Sequence, residues 1–176
     1  MNARLLAIAA LLAVSFTAIQ PSSGALPASD EPARAAKSRN EKKFDALVGQ
    51  ALAAMEKRAA ELKIGGVAVV SYAQGDTIQG WTSKMKVVGR MKDTPTADNK
   101  GSNLLGIAYA KAAEMADTLQ NSGTASRPPM TGEFGWQGGV IARTKTGYVI
   151  VAFSGGKSED DVQVSKAGLE VLKKGL

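Results

Sequence analysis

The chain has 176 residues, a formal net charge of +6, and neither cysteine nor histidine. A Ser-His-Asp triad, a Cys-His nucleophile pair and a metal site of imidazole or thiolate ligands are therefore excluded, and no disulfide can stabilise the fold. Basic residues are interspersed with acidic ones and form no single stripe, so we expect no nucleic-acid partner.

The N-terminal residues have the pattern of a cleaved signal peptide, which we predict to be residues 1–25. Arg4 precedes an apolar segment, Leu5 to Ile19, and small residues follow at Ser23-Gly24-Ala25. The apolar segment is too short for a comfortable membrane span. We therefore expect an exported protein, either periplasmic or secreted.

Residues 26–40 are rich in proline, alanine, serine and charge, which predicts a flexible tether. The remaining residues, 41–176, are predicted to form one domain.

The domain begins with a predicted helix over residues 41–63, whose apolar residues recur at three- and four-residue steps. Gly65-Gly66 ends it. Three strands are predicted next, the first beginning at Val67, the second from Thr77 to Thr82 and the third from Lys84 to Arg90.

A polar loop over residues 93–101 leads to a second predicted helix, 104–119, with Ser102 or Asn103 as its cap. Its many alanines and few charges indicate burial on more than one side. Residues 121–137 show no strong pattern, which is typical of a functional or loosely ordered loop.

Two strands and a helix complete the chain. A strand over residues 140–143 precedes a continuous apolar run, Val149 to Phe153, which predicts a central strand covered on both faces. The turn Ser154-Gly155-Gly156-Lys157 then leads into a helix that Ser158 is expected to cap, with three carboxylates in its first turn.

The order of helix, three strands, helix, two strands and helix predicts an α/β protein of the α+β type. We expect a largely antiparallel five-stranded sheet packed with about three helices.

Several short motifs in this order resemble the GlcG/HbpS-like haem-binding or haem-degrading domain family, over roughly residues 44–172. The motifs are Arg90-Met91, the helical Tyr109-Ala110-Lys111-Ala112, Gly138-Gly139 before a hairpin, and Ser154-Gly155-Gly156 with Asp161 seven residues after Ser154. The resemblance implies a profilin-like layered fold and a small exported domain that binds haem or a related tetrapyrrole, often as an oligomer.

The resemblance and the residue types together give a set of candidate ligand-binding residues: Arg90, Tyr109, Lys111, Phe134, Trp136, Gly138 and Gly139. A desolvated Lys111 could be a Schiff-base nucleophile or pair with a haem propionate. Alternatively, its stem lies on apolar surface and its ammonium reaches water or a carboxylate. Phe134 and Trp136 could stack on a flat ligand, plug the end of the sheet, or contact another subunit.

Other candidates have equally plain structural interpretations. Tyr109, Met91, Met115 and Met130 could ligate haem iron, but we favour core packing for Met115 and an internal hydrogen bond for Tyr109. Glycines at Ser154-Gly155-Gly156 could cradle an anion, and the acids of residues 159–161 could hold Mg²⁺ or Ca²⁺. Because those acids already occupy the positive helix end, we favour capping.

The function predicted from the sequence is binding of haem or another flat small molecule, without a defined reaction, in a homo-oligomer. One alternative is an enzyme that degrades haem oxidatively, with haem itself carrying the chemistry. Another is a ligand-free oligomerisation module that docks on a membrane sensor or transporter.

Overall fold

A computed structural model describes residues 31–176 of the chain. The predicted signal peptide and the first residues of the predicted tether lie outside this range. The described residues form three helices, with strands between each successive pair, and six strands in two sheets.

The helices are α1 (Glu31–Glu61), α2 (Leu104–Thr118) and α3 (Ser158–Lys173). The strands are β1 (Gly66–Gln74), β2 (Thr82–Val88), β3 (Lys92–Asp93), β4 (Ser102–Asn103), β5 (Gly139–Arg143) and β6 (Gly147–Ser154).

The main sheet has four strands in the order β2-β1-β6-β5, and each neighbouring pair is antiparallel. Val70 of β1 lies opposite Val151 of β6, and Ile150 of β6 lies opposite Ile141 of β5. β6 is therefore an interior strand, as its apolar run predicts. The short strands β3 and β4 pair only with each other.

Helices cover both faces of the main sheet. Alternate residues of β1 and β6, among them Val70 and Phe153, pack with α1 and α3, while the intervening residues, among them Val69 and Ile150, pack with α2. Because successive strand residues point to opposite faces, this alternation gives a layer of helix, sheet and helices. The predicted α+β class is confirmed, and the layers are consistent with a profilin-like fold.

The predicted number of strands in the sheet is wrong: the main sheet has four strands, because residues 77–81 form a loop. Tyr72 of β1 pairs directly with Thr82 of β2, and residues 75–81 between the two strands leave the sheet. The apolar side chains of Ile78 and Trp81 pack against the α2-side core from this loop. Their burial explains the apolar pattern that predicted a strand.

The predicted start of the first helix is also wrong, since α1 begins at Glu31, inside the predicted tether. Pro32 lies in the first turn of the helix, where a missing N–H breaks no hydrogen bond. Alanine, arginine and lysine, which follow it, all favour helix.

The predicted cap residue is confirmed for α2 but is wrong for α3. Asn103 caps α2 as expected, and its Oδ1 accepts a hydrogen bond from the amide of Gly106 at 3.0 Å. Lys157 rather than Ser158 occupies the cap position of α3, and it makes no side-chain cap hydrogen bond. Asp161 instead accepts from the amide of Gly156 at 2.8 Å, because its carboxylate folds back over the turn.

One edge of the main sheet is covered by side chains from the loop after α2. Ser122 Oγ accepts a hydrogen bond from the amide of Gly139 at 2.8 Å, and Asn121 Oδ1 accepts one from Ile141 at 3.0 Å. Both donors belong to edge strand β5. Within residues 31–176 no helix combines the length and apolarity that crossing a bilayer requires.

Candidate functional site

A small cleft of about 140 Å³ lies where β6 ends and α3 begins. Lys111 of α2, Trp136 of the long loop and Asp161 of α3 line it, together with the turn of residues 154–156. Asp93 and Ser102 of the small sheet also contribute to it. Segments distant in sequence therefore meet at one end of the central strand. Residues from all four motifs on which the resemblance rests lie in this cleft or beside it.

Lys111 and Asp161 form a buried ion pair in this cleft. Lys111 Nζ lies 2.9 Å from Asp161 Oδ2, with 3% and 4% of the two side chains exposed. The ammonium also donates to the backbone carbonyl of Phe153 at 2.8 Å. The pair thus joins α2, the end of β6 and the first turn of α3.

Burial disfavours the charged form of both partners. Desolvation lowers the pKa of Lys111 below its ordinary value, and the Asp161 carboxylate opposes that shift only in part. Desolvation likewise raises the pKa of Asp161, against the attraction of Lys111 and the hydrogen bond from the amide of Gly156. Each charge therefore depends on the other to remain in the interior.

The paired glycines leave room for this ion pair. Gly138 has a φ of 135°, and a Cβ at this position would overlap the Lys111 ammonium. A Cβ on Gly139 would overlap the end of the Met115 side chain. The carbonyl of Gly138 accepts hydrogen bonds from the amide of Phe153 and from Ser165 Oγ. Both predicted glycines therefore have a packing role at the floor of the site.

Phe134 and Trp136 form an exposed aromatic pair beside the cleft. Their ring centroids are 4.8 Å apart at an interplanar angle of 31°. Phe134 is 45% exposed and Trp136 is 50% exposed. This exposure contradicts the hypothesis that the two rings plug the end of the sheet, and leaves contact with a ligand or a subunit.

An ion-pair network holds the loop that carries these rings. Arg127 donates to both carboxylate oxygens of Glu133 at 2.7 and 2.8 Å, and to Asp117 at 2.6 Å. The hydrogen bonds from Arg127, and then that from the amide of Met130, lower the pKa of Glu133 to about 2. The loop is thus ordered by its own side chains and by Asp117 of α2, immediately before Phe134.

Arg90 acts as a backbone clamp at the outer side of the cleft. Its guanidinium donates to the carbonyls of Gly65 and Gly155 and to Asp93 Oδ1, each at 2.7 Å. It therefore fixes the turn after β6 relative to the end of α1. Each of its three guanidinium nitrogens therefore donates one hydrogen bond within the protein.

Tyr109 lies away from the cleft, although it is two residues from Lys111. Its hydroxyl lies 3.3 Å from Ser83 Oγ on β2, so it makes the internal hydrogen bond favoured above. Met115 is fully buried in the core, also as favoured. Met91 and Met130 are about half exposed.

The structure does not bring together a set of metal ligands in the described part of the chain. Among residues 31–176, no group of three acidic side chains is arranged to hold a metal ion. Asp161, the most buried acid of the first turn of α3, is already bonded to Lys111 and to the amide of Gly156.

Two features of the site were missed from the sequence. The sequence does not distinguish water from a carboxylate as the partner of Lys111, and the structure identifies Asp161. The Arg127–Glu133–Asp117 network was not predicted at all. Opposite charges six residues apart in a loop give no periodic signal, since their meeting depends on the loop's path.

Comparison of the chain with protein-family models, with curated proteins and with solved structures finds no match.

Proposed function

We propose that this protein is a non-catalytic binder of a flat small molecule, which lies on the Phe134–Trp136 pair across the mouth of the cleft. The exposed aromatic pair, held by an ordered loop beside a buried lysine, is the observation that carries the proposal. Haem or another tetrapyrrole is the ligand class that the resemblance to the GlcG/HbpS-like family implies.

The dimensions of the cleft favour binding at its mouth. A volume of about 140 Å³ is smaller than the roughly 300–1,000 Å³ of pockets that enclose small ligands. A tetrapyrrole does not fit inside it. An aromatic ring pair about half exposed at the rim, by contrast, offers a stacking surface of the required kind.

The interior of the cleft suits one polar substituent of such a ligand. An ammonium has three N–H donors. Lys111 uses one for the carbonyl of Phe153 and one for the carboxylate of Asp161. The remaining N–H is available to an acidic or carbonyl oxygen. Because the Lys111 charge is already balanced by Asp161, this contact orients the ligand more than it attracts it.

The residues present do not form an iron site in the cleft. Tyr109 is bonded to Ser83 outside it, and Met115 is buried beneath Gly139. We therefore expect stacking, and not iron coordination, to dominate the affinity. The absence of histidine and cysteine from the sequence agrees with this expectation.

Titration of the purified protein with haemin, followed at the Soret band, tests the proposal. We expect a saturable one-to-one shift, and we expect iron-free protoporphyrin to bind with similar affinity. Trp136→Ala should weaken both by about three- to tenfold, the equivalent of one aromatic contact. Val87→Ala is the control, since Val87 is 41% exposed but does not line the cleft.

Each other outcome contradicts part of the proposal. If neither haemin nor protoporphyrin gives a saturable shift, a tetrapyrrole ligand is excluded. If either binds and Trp136→Ala leaves the affinity unchanged, binding at this site is excluded. Strong binding of haemin alone would show that iron coordination matters. Loss of the bound haem spectrum with reductant and oxygen would favour the alternative of oxidative haem degradation.

We also propose that the protein is exported and acts in sensing or scavenging, as a homo-oligomer or beside a membrane sensor or transporter. The signal-peptide pattern of residues 1–25 supports export. Cell fractionation of a tagged full-length chain tests this, and retention in the cytoplasm would refute it.

A further inference from the structure

The end of the domain that carries the β5–β6 turn has a basic concavity, here called the basic cup. Its volume is about 570 Å³, within the size range of small-ligand pockets. Five cationic side chains line it: Lys43, Arg143, Lys145, Lys173 and Lys174. No acidic side chain is among the lining residues.

Three separate elements supply these charges. Lys43 comes from α1, Arg143 and Lys145 from β5 and the following turn, and Lys173 and Lys174 from the end of α3. Lysines at a helix C-terminus are expected because they complement the helix dipole. That explanation covers α3 only, and leaves the convergence of the other cations on the same concavity unexplained.

Most of the charge in the cup is free to meet a ligand. Arg143 is engaged with Asp76 and lies over the ring of Tyr148, 4.8 Å from its centroid. Lys173 lies 3.9 Å from Glu170. Within the described part of the chain, Lys43, Lys145 and Lys174 have no carboxylate within 4.0 Å and are exposed.

We propose that the basic cup binds a compact ligand that carries two or more phosphate groups. Lysine ammonium groups act as point charges for phosphate, and several of them around one concavity raise the local concentration of a multivalent anion. Even if Leu176 carries a free α-carboxylate, the cup retains a clear positive excess. The phosphates could belong to a soluble molecule or to a lipid headgroup.

The shape of the charge distribution disfavours a nucleic acid. Duplex binding relies on cations spread along a face or stripe, which contact phosphates at regular spacing. Here the cations converge on one concavity, and the other basic residues of the domain are interspersed with acids. A compact polyanion matches this arrangement better than an extended one.

Calorimetric titration with tripolyphosphate tests the proposal on three proteins. The first is the wild type. The second is the cup variant Lys43→Glu/Lys145→Glu/Lys174→Glu. The third is the control variant Lys57→Glu/Lys84→Glu/Lys166→Glu, which changes net charge equally at exposed lysines outside the cup.

We expect saturable binding to the wild type and the control variant, and at least about a tenfold loss in the cup variant. Equal loss in both variants would overturn the proposal, because net charge alone would then explain binding. Absence of binding to the wild type at low salt, with vesicles also unbound, would overturn it as well. If circular dichroism shows that the cup variant is unfolded, the milder variant Lys145→Gln/Lys174→Gln is used in its place.

Two further arms identify the source of the phosphate. Phosphatidylcholine vesicles with and without phosphatidylinositol 4,5-bisphosphate test a lipid surface, and binding that needs the polyphosphorylated lipid and the intact cup would assign the phosphates to headgroups. Binding of tripolyphosphate without vesicle binding would assign it to a soluble ligand. If duplex DNA binds more tightly than tripolyphosphate or the vesicles, and the cup variant loses that binding, the proposal of a compact ligand is refuted.

Discussion

Removing one partner of the Lys111–Asp161 pair should destabilise the fold far more than removing both. Lys111→Met keeps the length of the side chain but leaves the Asp161 carboxylate buried with only the backbone amides of Gly155 and Gly156 beside it. Breaking a buried pair in this way costs about 3–5 kcal/mol, because an uncompensated charge remains in the interior. That is a large part of the roughly 5–15 kcal/mol by which domains are stable.

The double variant Lys111→Met/Asp161→Asn should recover most of that loss. Its asparagine carries no charge, and its carbonyl oxygen can still accept from the amide of Gly156. We expect its free energy of unfolding to lie within about 1–2 kcal/mol of the wild type, since neutral replacements of buried pairs are often tolerated.

The pH dependence of the Lys111→Met variant provides a second test. Without its partner, Asp161 should have a folded pKa raised further above the unfolded value of about 3.9. A raised carboxyl pKa means that the folded state binds more protons, so stability falls as the pH rises between the two values. The deficit relative to the wild type should therefore shrink as the pH is lowered from 7 toward 4.

Urea unfolding, followed by circular dichroism at several pH values, measures all four proteins of this cycle. Asp161→Asn alone should cost less than Lys111→Met alone, because the asparagine carbonyl can still accept hydrogen bonds from the Lys111 ammonium and the amide of Gly156. Equal and small losses in both single variants, with no pH dependence, would refute the interpretation of a desolvated, mutually dependent pair.

Three further substitutions give independent predictions. Gly138→Ala should destabilise the fold by about 1–3 kcal/mol in thermal unfolding, through its left-handed φ and its overlap with the ion pair. Arg90→Lys should cost about 1 kcal/mol in urea unfolding, because a single ammonium cannot reach both backbone carbonyls. Glu133→Gln should release Arg127 and alter the tryptophan emission that Trp136 contributes, and the wild type should show this change only as the pH falls toward about 2.

Matched controls separate these effects from general sensitivity to substitution. Gly49→Ala lies in α1 with open space around its Cβ position, so it should be neutral or stabilise by up to about 1 kcal/mol. Arg39→Lys changes an exposed arginine of α1 and should have little effect. A loss in either control as large as in its counterpart would contradict the structural reasons given above.

The parts of the fold that could be predicted from sequence are those where local signals and burial agree. The apolar run of β6 predicts an interior strand because both of its faces are covered, and Asn103 predicts the start of α2 because its side chain meets the free amide of Gly106. The prediction of a strand over residues 77–82 is wrong because Ile78 and Trp81 pack, partly buried, against the core from a loop. Alternation of apolar residues does not distinguish that arrangement from a strand.

The candidate site could be predicted in its residues but not in its geometry. The sequence identifies Lys111 and the paired glycines as candidate residues. Only the packing of α2 and α3 on opposite faces of the sheet shows that Lys111 meets Asp161 at the end of that sheet. Tyr109 illustrates the converse. Its position two residues from Lys111 places it on a different side of α2, where it contacts β2.

The covered edge of the sheet limits how copies of this chain can join. Strand β5 has the amides of Gly139 and Ile141 bonded to the Ser122 and Asn121 side chains, so it cannot accept another strand there without losing them. Strand β2, at the other edge, has no such side-chain cover within residues 31–176. Two copies that pair through β2 about a two-fold axis would bury both free edges at once, and the combined sheet would end in covered strands on each side. Edge pairing would therefore terminate at a dimer, whereas a sheet open at both edges could add subunits without limit.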